Sequence, residues 1–109
     1  MKTERQIVIN GSDIITFIVL TKIVYFQADG NYCTIVTNDG ESILWCKRIG
    51  DVLKELNDPT FIKISQSIIL NKAYIKHVHK KRREIELRVD GRLLPYSIPQ
   101  RNFLELLLA

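Results

Sequence analysis

The chain has 109 residues, a length that favours one domain with a core large enough to stand without metal or disulfide. Its apolar fraction of 46%, its lack of any apolar run near a membrane span and its two lone cysteines, Cys33 and Cys46, exclude a helical membrane protein, a disulfide scaffold and a zinc framework. The net charge of +4 is lopsided: residues 1–54 hold six Lys/Arg against six Asp/Glu, whereas residues 55–109 hold ten against six, a balance that suits a polyanionic partner.

In chain order, MKTERQIVIN carries charge but no hydrophobic signal core, so a cytoplasmic location without a membrane is expected. Gln6-Ile7-Val8-Ile9 reads as a strand, Asn10-Gly11 as a tight hairpin turn, and Asp13 to Phe17 as the returning strand. Ile23 to Ala28 is the next strand, Asp29-Gly30-Asn31 its turn, and Tyr32 to Thr37 its partner. Asn38-Asp39-Gly40 turns again into Ser42 to Trp45. Short strands at this spacing predict antiparallel β structure.

Lys47 to Asn57 breaks the pattern, because Ile49, Val52, Leu53 and Leu56 recur at helical spacing. Asp58-Pro59 stops that helix, since Pro lacks the donor and restricts the residue before it. Strands resume at Thr60 to Ile64, Ile68 to Leu70 and Tyr74 to His79. In the next strand Ile85, Leu87 and Val89 alternate with Glu84, Glu86 and Arg88, giving one wet face. Asp90-Gly91 turns the chain, and Ser97-Ile98-Pro99-Gln100 has the form of a capping box that opens a last helix through Leu108. The fold class is therefore mainly β, one domain over 1–109, with two short helices.

Little in this sequence suggests catalysis. His77 and His79 share a strand face but lack a third ligand, so polar strand positions explain them better than a metal does. No nucleophile has an evident base and orienting partner, and every glycine is single, so neither an enzyme site nor a cofactor is expected. Lys80 to Arg83 reads as a solvated hairpin tip, with phosphate contact as the functional alternative. Asn31 is either a turn residue or an exposed amide able to read a base edge, while Tyr32 fits half-buried sheet.

The stretch Ser65-Gln66-Ser67 interrupts an otherwise apolar segment. Asn71 and one serine suit structural bonds to backbone where strands break. Gln66 is harder to explain in that way. A long amide in a loop between rigid strands can pair bidentately with adenine, with Ser65 and Ser67 reaching phosphates.

These segments, in this order, resemble the LytTR family of bacterial DNA-binding domains. Ile23 to Tyr32 looks like the run I-x-Y-x-E-A-x-x-N-Y, Phe61 to Asn71 like F-x-R-x-H-x-S-x-x-V-N, with Tyr74-Ile75 as the closing pair, and Leu94 to Ser97 like L-P-V-S. The resemblance implies several small antiparallel sheets with the two short helices peripheral, and DNA contact through loops at the sheet ends. The implied partner is double-stranded promoter DNA, bound as a dimer on repeated half-sites. It also implies service as the output domain of a two-component response regulator, beside a receiver domain. The DNA-facing positions it implies are Asn31, Tyr32 and Cys33, then Lys63, Ser65, Gln66 and Ser67, then Ser97, Gln100 and Arg101. Ser65 stands where the family usually has His, Lys63 where it has Arg, and Ile98-Pro99 where it commonly has two basic residues. Ile98-Pro99 in place of the basic residues favours a second expectation, a protein-interaction module that kept the fold and lost DNA affinity.

Overall fold

The computed structural model describes residues 5–108 and leaves residues 1–4 and 109 outside. The first strands are β1 (Gln6–Asn10), β2 (Ile15–Val19), β3 (Ile23–Asp29), β4 (Tyr32–Thr37) and β5 (Ser42–Trp45). Helix α1 (Ile49–Leu56) precedes β6 (Phe61–Lys63), β7 (Ile68–Asn71), β8 (Ile75–His79), β9 (Glu84–Leu87) and β10 (Leu93–Pro95), and α2 (Gln100–Leu108) follows. The strands form three antiparallel sheets: β1–β2, the five-stranded β5–β4–β3–β7–β6, and β10–β9–β8. This is the mainly β architecture expected from the turn spacing, with both helices peripheral.

The five-stranded sheet is covered on both faces, which is why its central strands read as apolar runs. Successive side chains of a strand point to opposite faces. Phe61 and Ile69 accordingly join one core with Ile7, Ile18, Trp45, Val52 and Leu56, beneath the β1–β2 hairpin and α1. Ile62 and Leu70 join the other with Ile85, Leu94 and Phe103, beneath the β8–β10 sheet and α2. Strand β3 departs from strict alternation. A register shift between Ile23 and Tyr25 turns Val24 and Tyr25 toward the second core, while Ile23 and Phe26 face the first. All four are buried. A fully buried side chain of this kind contributes about 1.5–3 kcal/mol.

Several local expectations change. Asn10-Gly11 does not make a two-residue turn. The loop runs over residues 11–14 and is closed by the Gly11 N–H donating to the Ile14 carbonyl at 3.0 Å. That closure needs glycine, since a Cβ there would stand 2.8 Å from the same oxygen. Tyr74 belongs to a 3₁₀ turn, Lys72–Tyr74, because Asn71 caps that turn: its side chain accepts from the Ala73 N–H at 3.0 Å. Helix α1 occupies a narrower span than predicted and ends when Asn57 turns left-handed at φ 43°.

At the far end of the sheet, polar side chains hold the connections together. Asn71, 2% exposed, donates its amide to the Ile23 carbonyl at 2.9 Å. The Tyr74 hydroxyl donates to the Thr21 carbonyl at 2.6 Å and accepts from the Asn38 amide at 3.1 Å. Thr37 donates to Asp39, which holds the Asp39 carboxyl below the usual carboxylate range.

Candidate nucleic-acid interface

The opposite end of the sheet collects the β3–β4 turn, the β6–β7 loop and the start of α2. Strand β3 meets β4 through Gly30 and Asn31, with Asp29 opposite Tyr32. Gly30 takes the left-handed position at φ 62°, and Asn31 does not. Asn31 thus serves the turn without the strained conformation that would explain it structurally. Its side-chain oxygen accepts from the Arg48 Nε at 3.2 Å, and among the described residues its amide nitrogen has no hydrogen-bond partner.

The β6–β7 loop is fixed largely by its own backbone. Ile64 donates to the Ile68 carbonyl at 3.0 Å, closing the loop, and Ala28 at the end of β3 donates to the Ser67 carbonyl at 2.7 Å. Ser65 accepts from the Ser67 N–H at 3.2 Å, a local serine turn. Ile64 is fully buried and Gln66 is exposed. Among the described residues the Gln66 and Lys63 side chains enter neither a hydrogen bond nor an ion pair.

The start of α2 is tied to the same loop. The N–H groups of Ser97 and Ile98 both donate to the Ile64 carbonyl, at 2.9 and 3.3 Å. From there α2 runs toward the far end, where Lys72 reaches the Leu106 carbonyl at 3.4 Å. The capping box does not form. The Gln100 side chain instead accepts from the Tyr96 hydroxyl at 2.5 Å and donates to the Lys80 carbonyl at 3.3 Å. Arg101 in the first turn is almost fully exposed and lies 3.8 Å from Glu105 one turn on.

Of the ten positions expected to face DNA, Asn31, Tyr32, Gln66, Ser97 and Arg101 are exposed and Lys63, Ser65, Ser67 and Gln100 half-buried. Cys33 is the correction. It points into the first core at 0% exposure, because it follows exposed Tyr32 on a strand whose side chains alternate. Burial pushes its thiol up to about 11, against a lowering from nearby Lys47, so the thiol stays protonated and its side chain is not presented at the surface.

Two further cationic features adjoin this end: Arg48, which the sequence did not single out, and the Lys80–Arg83 tip, read from the sequence as a solvated turn with phosphate contact as the alternative. Arg48 sits extended at the position before α1, where a cation opposes the helix dipole; that misfit is its sequence signal. The β8–β9 tip, Lys80–Arg83, is lashed beside the start of α2: Tyr96 donates to the Arg83 carbonyl at 3.0 Å, and the Arg83 guanidinium bonds the Ile98 carbonyl and lies 4.8 Å over the Tyr96 ring. Nothing in the sequence spacing could have paired residue 83 with residue 98. The two histidines show no ligand geometry: their rings are 6.4 Å apart, and His79 bonds Glu86 at 3.1 Å, holding that carboxyl below its usual range. Among the described residues no cluster of metal-ligating side chains occurs, and no helix is long and apolar enough to cross a membrane.

A mainly β scaffold whose turn, loop and helix start form one polar, cationic end defines a loop-presenting domain. Residues 4–108 match the family model described as the LytTr DNA-binding domain, and the chain belongs to that LytTR family, whose domains typically serve as response-regulator outputs. The fold is also that of the LytTr DNA-binding domain of a protein described as a methyl-accepting/DNA response regulator from Bacillus cereus. The TM-score is 0.69 with 99% of either chain covered, and at 19% identity this likeness bears on the fold alone. No curated protein matches the sequence.

Proposed function

We propose that this LytTR domain binds promoter DNA sequence-specifically as the output domain of a bacterial two-component response regulator, joined to a receiver domain, in the cytoplasm and without catalysis. Gln66 and Asn31 read base edges, while Lys63, Ser67 and Arg101 hold the phosphate backbone, with Ser97 and Gln100 beside them. Two copies occupy repeated half-sites. The observation that carries this reading is the Ile64 carbonyl: through it the base of the Gln66 loop and the start of α2 form one unit, and the end of β3, just before its turn, is bonded to the same loop at the Ser67 carbonyl. Residues from three distant segments thereby share one end of the molecule, and among the described residues the Gln66 and Lys63 side chains there make no hydrogen bond or ion pair.

A titration of duplex binding against salt tests it. Phosphate contacts predict a linear fall of log K with log salt. Gln66→Ala is expected to weaken binding by about 1–3 kcal/mol on the preferred site and little on random duplex. Equal losses on both would remove Gln66 from base reading.

A protein-interaction role is the second reading. It is favoured by the β1–β2 hairpin, whose two strands carry no charge and whose outer surface exposes Val8, Ile15 and Phe17 at 53–64%. A wild-type chain with no affinity for duplex at low salt would favour it.

A further inference from the structure

The β8–β9 tip is not accounted for by the loops that read the duplex, and its chemistry is divided. Arg83 is turned inward, bonded to the Ile98 carbonyl and stacked on Tyr96. Arg82 lies 3.4 Å from Glu84. Lys80 and Lys81 are exposed and, among the described residues, have no acidic partner. The four cations thus split into two that hold the tip and two that leave it.

We propose that Lys80 and Lys81 form a second phosphate grip, contacting a stretch of duplex backbone that flanks the one held by the loop end. The inference rests on the reading above, that the loop end meets duplex DNA, and adds a contact which that reading does not use. Three observations carry it. The tip is anchored at both ends to residues 96–100, by Gln100 donating to the Lys80 carbonyl and by Tyr96 donating to the Arg83 carbonyl. Residues 97 and 98 are bonded in turn to the Ile64 carbonyl below Gln66, so the tip and the reading loop are two steps apart through rigid backbone. Arg83 adopts a left-handed conformation at φ 56°, unusual for a long side chain, and its guanidinium contacts offset the strain. A merely solvated turn needs no such anchoring. Lysines suit the task, since a compact ammonium attracts a phosphate without the directional fork that base reading uses.

The test compares salt titrations of the wild-type domain, Lys80→Gln/Lys81→Gln, and a charge-matched control, Lys22→Gln/Lys54→Gln, on a mixed-sequence duplex. Both control lysines are exposed and stand away from the loop end, Lys22 in the far-end turn and Lys54 on α1. The tip variant is expected to flatten the slope of log K against log salt by about one per lysine, with the control unchanged. Its loss of affinity should be equal on any duplex sequence. Equal flattening by both variants, or no flattening by the tip variant, would overturn the grip while leaving the loop reading intact. A wild-type domain without affinity for duplex overturns both.

Discussion

The two ends of the five-stranded sheet use their polar residues in opposite ways. At the far end the polar side chains fasten the connections: Asn71 and Tyr74 bond the Ile23 and Thr21 carbonyls, Thr37 bonds Asp39, and Asn38 bonds the Tyr74 hydroxyl. At the loop end the backbone largely does the fastening, through the carbonyls of Ile64 and Ser67, and the long side chains of Gln66, Lys63 and Lys80 are left over. A side chain can either hold a fold together or be offered to a partner, and position in the sheet decides which. The same residue types, amides and hydroxyls, appear at both ends, so composition does not distinguish them.

The comparison can be broken by removing side chains at each end and measuring stability by denaturant unfolding. Asn71→Ala is expected to have the largest effect. It strands the buried Ile23 carbonyl and the Ala73 N–H, at about 1–3 kcal/mol for each unsatisfied group, so the unfolding midpoint should fall with m unchanged. Tyr74→Phe deletes one hydroxyl that both donates and accepts, and a loss of about 0.5–1.5 kcal/mol is expected by the same measurement. Gln66→Ala should be the smallest, within about 0.5 kcal/mol of wild type, because nothing in the fold depends on that amide. A Gln66 variant that destabilised the domain as much as the Asn71 variant would erase the distinction between the two ends.

Much of this architecture was legible from local pattern. Strand β9 follows from alternation, β3 and β4 from apolar runs between turns, and α1 from the spacing of Ile49, Val52, Leu53 and Leu56. Local pattern failed where tertiary pairing made the element. Strand β10 turns only Leu94 inward and exists because it pairs with β9, and the Lys72–Tyr74 turn is too short to carry a period. The same limit applied to the interface. Gln66 stood out because a long amide in an apolar segment is locally anomalous, and Asn71 was recognised as structural for a similar reason. Cys33 is misplaced by grouping it with Asn31 and Tyr32, since Tyr32 and Cys33 both belong to β4, where alternation turns the second of them inward. Arg48 and the Lys80–Arg83 tip arrive at the loop end only through the fold.

The shared Ile64 carbonyl has a thermodynamic consequence. Its two lone pairs serve two N–H donors, and its side chain is locked in the core, so the Gln66 loop and the first turn of α2 are already immobilised before any partner arrives. Contact with a ligand then freezes only side-chain rotamers, about 0.5–1.5 kcal/mol for each long one, and no backbone. Under the proposed DNA-binding role, recognition at this end is of the lock-and-key kind, and a poorly matched sequence is not rescued by the loop remoulding itself.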